Sequence, residues 1–205
     1  MALKYFIFDL DGTLIDTEQA VLKTWQKTLK EYGYIYSIDD IKCVLGVTTE
    51  IGLKRLGANV DSDYTKKWQV NYAQYAKEAG YFKGAKELLL LLKEKGCSVG
   101  AVSSRSRKEY ADFFSGFEFE TIFDEVILEE DTTRHKPKPE PLNKYMELVG
   151  ANKNECIYIG DMPSDIQCAN NAGIVSGLVT WNSAGVVCDE AKMIFNSIED
   201  VLAIV

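Results

Sequence analysis

The chain has 205 residues, 46% of them hydrophobic, which is enough for one substantial core and a small accessory domain. A net charge of −8, without any dense run of Lys and Arg, excludes a nucleic-acid or anionic-membrane surface. The longest aliphatic run, Leu88 to Leu92, is far short of a membrane span, no signal-peptide core precedes Asp9, and five scattered cysteines without a Cys-x-x-Cys pair read as reduced thiols, so the expected location is cytoplasmic.

Residues 4–9 read as a first strand. Tyr5-Phe6-Ile7-Phe8 is apolar throughout, and Asp9-Leu10-Asp11-Gly12-Thr13-Leu14-Ile15-Asp16 follows at its exit. Strand alternation points Asp9 and Asp11 to the same side. Folding does not require two such acids to crowd together; a metal, a nucleophile with a proton donor, or both, would. Gly12 then allows a sharp turn.

From 17 to 79 the pattern turns helical. Val21, Trp25, Leu29 and Tyr32 recur at helical spacing, as do Ile51, Leu53 and Leu56, then Tyr64, Trp68, Tyr72, Tyr75 and Ala76. Ser37-Ile38-Asp39-Asp40 reads as a helix start, and no strand is predicted in the block. Asp16 reads as a cap or first-turn acid. Trp25, Trp68 and the tyrosines of 64–75 read as internal packing rather than a base-stacking surface.

After Gly80 strands and helices alternate. The predicted elements are a helix over 86–95, a strand over 98–102, a helix over 108–114 with Ser106 as a possible cap, and a strand over 125–128. A helix over 140–149, a strand over 156–159, a helix over 164–172, a strand over 175–179 and a last helix over 198–204 follow. This alternation implies an α/β fold: a Rossmann-like parallel sheet with helices on both faces. The helical block is an insertion into it. The expected domains are 1–16 with 80–205 for the core and 17–79 for a helical cap. An insertion there lies at the carboxyl edge of the first strand, where open α/β sheets bind ligands and where a lid is natural, with hinges near Asp16-Thr17 and Gly80-Tyr81.

Three further strand exits carry polar clusters. The first is Ser103-Ser104-Arg105-Ser106. The second is the loop Arg134-His135-Lys136-Pro137-Lys138-Pro139-Glu140-Pro141. The third is Gly160-Asp161-Met162-Pro163-Ser164-Asp165. All four prolines of the chain fall in the last two, which stiffens both loops. Ser103 could instead cap the next helix, as could Ser104 or Ser106, and Asp165 could be a first-turn acid favoured by the helix dipole. His135, the lone histidine, reads as an ordinary loop residue.

Taken together, an acid pair, a hydroxyl, a lysine and a second acid pair, in that order along the whole chain, resemble the motifs of the haloacid dehalogenase superfamily of phosphotransferases. Asp9 to Leu14 looks like its first motif, Ser103 its Thr/Ser motif, Lys136 its lysine motif, and Asp161 with Asp165 its acidic motif. The resemblance implies a Mg²⁺ site in which Asp9 and Asp161 supply carboxylates and Asp11 its backbone carbonyl. It implies that Asp9 attacks phosphorus to give an aspartyl-phosphate, and that Asp11 protonates the leaving oxygen and then activates water. Ser103 and backbone N–H groups near Leu10, Asp11 and Ser104 would bind the phosphoryl group. Lys136 would offset negative charge, and Asp165 would support the metal-site loops.

Because Asp11 is retained, a phosphate ester or anhydride is favoured over a halide or phosphonate substrate. The helical insertion resembles the cap of the phosphoglycolate phosphatase, pyrophosphatase and β-phosphoglucomutase group, and Leu45 to Thr49 looks like its substrate-facing loop. The mutases' arginine near Thr49 and histidine in the first cap helix are missing. Ser103-Ser104-Arg105 departs from the more usual Thr-Asn-Lys. The expected function is a Mg²⁺-dependent phosphatase for a small phosphorylated metabolite, phosphoglycolate phosphatase-like, acting as a monomer or homodimer. A β-phosphoglucomutase-like transferase, a pyrophosphatase or a catalytically silent binding relative are the alternatives.

Overall fold

A computed structural model describes residues 2–45, 49–182 and 185–205. In chain order the elements are β1 (Tyr5–Phe8), β2 (Ile15–Asp16), α1 (Glu18–Glu31), α2 (Ile38–Ile41), α3 (Thr49–Leu56), α4 (Tyr64–Tyr75), β3 (Gly80–Tyr81) and α5 (Ala85–Glu94). They continue with β4 (Ser98–Val102), α6 (Arg107–Phe114), α7 (Phe119–Ile122), β5 (Glu125–Ile127), α8 (Glu140–Val149), β6 (Cys156–Gly160), α9 (Pro163–Ala172), β7 (Val175–Val179), β8 (Met193–Phe195) and α10 (Ile198–Leu202). The chain divides into two compact units, Met1–Ile15 with Tyr81–Val205, and Asp16–Gly80.

The first unit is built on one six-stranded sheet in the order β5-β4-β1-β6-β7-β8, and every pairing is parallel. This is the expected α/β fold. β1 lies between β4 and β6, with Phe6 opposite Val99 and Ile157. Phe6, Ile7 and Phe8 are all fully buried. Since alternate side chains leave a strand on opposite faces, both faces of the sheet are covered, and so the strand reads as a continuous apolar run. One face holds Ile7, Tyr158, Leu142, Tyr145, Met146, Cys168 and Ala169, which seats α8 and α9. A Cβ at Gly100 would lie 2.1 Å from the Tyr145 ring, so the glycine in β4 is what lets that tyrosine close on the sheet.

Local chemistry accounts for the helix bounds. Ser106 caps α6 in a reciprocal box with Glu109, and Gly150 and Gly173 end α8 and α9 in left-handed conformation. β8 was not anticipated: three residues after a charged turn carry too little alternation to be read as a strand. Among the described residues no helix is long and apolar enough to cross a membrane.

The second unit packs α1, α2, α3 and α4 around Leu22, Trp25, Leu29, Ile41, Val44 and Tyr64, with Trp68 partly buried against them. Trp25 and Tyr64 meet at 5.5 Å between ring centres, and Trp68 stacks on Tyr72 at 5.0 Å. These aromatic rings are core, as their helical spacing indicates. Within this unit Asn71 donates to Thr28 and Glu31 at 3.1 Å, tying α4 to α1. Of the stretch Leu45 to Thr49, residues 46–48 lie outside the described residues.

Candidate active site

The central strands deliver the polar groups to one edge. Asp9 follows β1 and its N–H donates to Ile159 at 2.8 Å, extending the ladder one residue past the strand; Ser103 follows β4 and donates to Ile127 at 3.0 Å. Asp161 follows β6. Asp9, Ser103 and Asp161 are all about 5% exposed: 6%, 5% and 6% respectively. Parallel neighbours in register end together, so residues far apart in sequence meet at the carboxyl edge.

The chain leaves β1 in a tight turn. The Leu10 carbonyl accepts from Leu14 at 3.0 Å and Ile15 at 2.9 Å, and Gly12 takes φ +76. A Cβ on Gly12 would fall 2.2 Å from Asp161 Oδ2. Glycine is needed there twice over, for its backbone conformation and for the approach of the second acid.

Lys136 joins the two acid pairs. Its Nζ donates to Asp9 Oδ1 at 2.8 Å and to Asp165 Oδ1 at 2.7 Å, with Tyr158 Oη at 3.2 Å. Tyr158 Oη in turn lies 2.8 Å from the Val102 carbonyl, fixing it across the sheet. Asp165 Oδ2 accepts from the Met162 N–H at 3.0 Å, so both Asp165 oxygens are engaged. Asp165 therefore does more than sit in a helix dipole. Burial raises the Asp9 carboxyl to about 7 even though Lys136 pulls it down, and the same cause, with repulsion from Asp9 and Asp165, raises Asp161 well above the usual carboxylate range. Burial acts to lower Lys136, but Asp165 and Asp9 outweigh it and keep the ammonium charged.

Carboxylate oxygens of Asp9, Asp161 and Asp165 lie within 4.8 Å of one another. Asp161 Oδ2 accepts from Asn182 Nδ2 at 2.9 Å, while among the described residues the buried Oδ1 has no hydrogen-bond partner. Asn182 also donates to the Gly12 carbonyl at 2.9 Å, and Trp181 Nε1 donates to the Thr13 carbonyl at 2.9 Å. A buried carboxylate oxygen without a partner, on an acid crowded by two others, is costly unless something positive sits against it. An oxygen-only donor set of this kind fits a hard divalent cation such as Mg²⁺.

Asp11 is held differently. Arg105 Nε donates to its Oδ2 at 3.0 Å and Nη2 to its Oδ1 at 2.8 Å, a two-point ion pair. The Arg105 N–H donates to Ser103 Oγ at 3.2 Å. Ser106, not Ser103, caps α6. Ser104 is exposed at the same strand exit. Asp16 Oδ1 accepts from the Glu18 N–H at 3.2 Å at the start of α1, matching its cap-like reading, and His135 is an exposed loop residue.

The structure thus brings Asp9, Asp161, Asp165 and Lys136 into direct or near contact, and ties Asp11 and Ser103 together through Arg105. Sequence reasoning missed Arg105, Tyr158 and Asn182 as parts of the site. Arg105 sits in the cluster noted for its departure from the usual motif. Tyr158 lies hidden in an apolar strand. Asn182 lies beside Trp181 in a loop with no pattern of its own.

The family of haloacid dehalogenase-like hydrolases matches residues 6–179. Pyrophosphatase PpaX of Halalkalibacterium halodurans is 30% identical over 188 residues, covering 90% of this chain and 87% of the relative. The crystal structure of a predicted phosphoglycolate phosphatase from Haemophilus somnus 129pt superposes with a TM-score of 0.84 at 21% identity, covering 98% of this chain and 97% of that one. A haloacid dehalogenase-superfamily hydrolase of subfamily IA, variant 1, from Geobacter sulfurreducens PCA gives 0.77 at 23% identity, covering both chains fully (100% and 100%). The two structural likenesses are likenesses of fold.

Proposed function

The chain belongs to the haloacid dehalogenase-like hydrolases, and from that membership we propose that it is a Mg²⁺-dependent phosphatase acting on a small phosphorylated metabolite through an aspartyl-phosphate on Asp9. The observation that carries this is the Lys136 bridge from Asp9 to Asp165 beside the orphaned Asp161 Oδ1. Asp9, Asp11, Asp161 and Asp165 stand against Lys136 and Arg105, a formal surplus of two negative charges that would repel a phosphate. Mg²⁺ held by Asp9, Asp161 Oδ1 and the Asp11 carbonyl would reverse that sign and orient the phosphoryl group.

The chain's own residues then divide the work. Lys136 fixes the Asp9 carboxylate for in-line attack on phosphorus and offsets charge as it builds. The Ser103 hydroxyl and the backbone N–H groups of Leu10, Asp11 and Ser104 donate to the phosphoryl oxygens. Asp11 gives a proton to the leaving oxygen and later takes one from the water that cleaves the acyl-phosphate. Asp165 keeps Lys136 and the Met162 turn in place. The helical unit enters the chain directly after this acid pair and is the candidate source of substrate choice.

Two substrate readings follow. A phosphate monoester, as in phosphoglycolate phosphatases, fits the retained Asp11. A phosphoanhydride is favoured by the resemblance to Pyrophosphatase PpaX across nearly the whole chain. The common mechanism is tested with p-nitrophenyl phosphate: Asp9→Asn, or chelation of Mg²⁺, should abolish turnover, and a quenched wild-type reaction should yield a phosphorylated peptide containing Asp9. Turnover surviving in Asp9→Asn would overturn the mechanism for both substrates.

A further inference from the structure

Arg105 is built into the site more firmly than a surface arginine. Its side chain is 14% exposed, its N–H donates to Ser103 Oγ, and its carbonyl accepts from the Glu129 N–H at 3.0 Å. Its guanidinium lies 6.0 Å from the centre of the Phe113 ring, and Nη1 stands 3.7 Å from Glu109 Oε1. Glu109 is itself pinned, because its Oε2 accepts from the Ser106 N–H at 3.0 Å. The stem is thus anchored, and the fork faces Asp11, the residue assigned to the leaving group.

The two-point pair takes one lone pair on each Asp11 oxygen and fixes the direction of the carboxylate toward Arg105 rather than toward a leaving group. Turning toward a leaving group breaks that pair, and the edge Asp11 then vacates is a planar pair of N–H donors matched to an oxyanion. What departs decides whether that edge is filled again. As Asp9 bonds to phosphorus, the bridging P–O bond breaks and its electron pair stays on the bridging oxygen. From an alkyl ester this gives an alkoxide, which needs a proton at once and then leaves as a neutral alcohol. From a phosphoanhydride it gives a phosphate, a stable anion that needs a cation beside it.

We propose that Arg105 sets the substrate class: its guanidinium exchanges Asp11 for the departing phosphate, so that the site favours a phosphoanhydride over an alkyl phosphomonoester. This rests on Asp9 being the nucleophile and takes the second substrate reading further. A lysine at this place would meet either partner as a point charge and could not exchange one two-point pair for another.

The test is kcat/KM for wild type, Arg105→Gln and Arg105→Lys on inorganic pyrophosphate and on glycerol phosphate, both with Mg²⁺. Arg105→Gln should lose about 100-fold on pyrophosphate and about tenfold or less on glycerol phosphate. Arg105→Lys should recover part of the pyrophosphate loss. Should Arg105→Gln fail to fold, Arg105→Lys decides alone, with an expected shift of roughly threefold or more toward glycerol phosphate. Equal losses on both substrates would overturn the proposal and leave Arg105 as a holder of Asp11. A wild type that cleaves glycerol phosphate and not pyrophosphate overturns it as well, while leaving the role of Asp9 intact. A wild type inactive on both, and on p-nitrophenyl phosphate, defeats the underlying reading of Asp9 instead.

Discussion

Lys136 and Asp165 form an ion pair at 2.7 Å in which the lysine side chain is 8% exposed and the aspartate 1%. A pair this deep is poor evidence of net stability, since both charges lose their water. Its consequence lies in position. Lys136 spends a second donor on Asp9 at 2.8 Å, so the carboxylate proposed as nucleophile is aimed by a group that is itself held by Asp165. Removing the lysine leaves two buried acids without a cation. Lys136→Met is expected to cost about 3–5 kcal/mol in urea denaturation. The double variant Lys136→Met/Asp165→Asn should regain part of that loss, because one uncompensated charge is gone. A single variant within about 1 kcal/mol of wild type would mean that the pair is solvated in solution.

Asp161, clustered with Asp9, keeps one carboxylate oxygen that has no partner among the described residues. Without metal, Asp161→Asn should raise the melting temperature, because repulsion from Asp9 disappears while Asn182 keeps an acceptor. With saturating Mg²⁺ the order should reverse: wild type gains about 2.7 kcal/mol at a hundred times its dissociation constant, and the variant gains little. Thermal melts in EDTA and in Mg²⁺ measure both terms. An equal Mg²⁺ increment in the two proteins would remove Asp161 from the metal site.

Gly12→Ala probes the turn that lets the two acids approach. Left-handed backbone alone costs about 1–2 kcal/mol for a non-glycine residue. Gly33, at φ +85 with nothing within 4 Å of a built Cβ, supplies that cost without a clash. Gly12→Ala should therefore be the more destabilising of the two, and should also weaken Mg²⁺ binding by displacing Asp161. Equal losses in denaturation would show that the Asp161 carboxylate yields freely.

Asp124 gives a pH-dependent test away from the site. Burial acts to raise its carboxyl, but hydrogen bonds from Lys93, Ser98 and the Val99 N–H outweigh this and hold it below the usual range. A folded-state value below the unfolded one means the unfolded chain binds more protons. The contribution is then present above about pH 4 and is lost as pH falls through the folded value. The side chain is 37% exposed, so solvent screening keeps the effect under about 1 kcal/mol. Asp124→Asn should be less stable than wild type at pH 7, and the gap should narrow as pH falls below about 4. A gap independent of pH would assign the loss to packing.

Much of the site could be read from one dimension because its parts stand at strand ends. An apolar run that stops at a polar residue marks both the strand and its exit, and Asp9, Ser103 and Asp161 each follow such a run. Lys136 could be placed only by its stiff, proline-rich loop, and its two carboxylate partners lie 127 and 29 residues away in sequence. Arg105, Tyr158 and Asn182 were not recognised for the same reason: each acts through a contact that sheet order and loop packing create. Arg105 and Asp11 are 94 residues apart, and Asn182 and Asp161 are 21 apart.

By itself the sequence determined the alternation of strands and helices, the place of the helical insertion, and the order of acid, hydroxyl, lysine and acid. These follow from hydrophobic periodicity and residue chemistry, which are local properties. Only the tertiary structure decided which oxygen of Asp161 lacks a partner among the described residues, which acid besides Asp9 Lys136 binds, and that Asp11 is gripped by Arg105. Those are matters of distance between side chains carried by different strands, and parallel strands bring their ends together only once the sheet has formed.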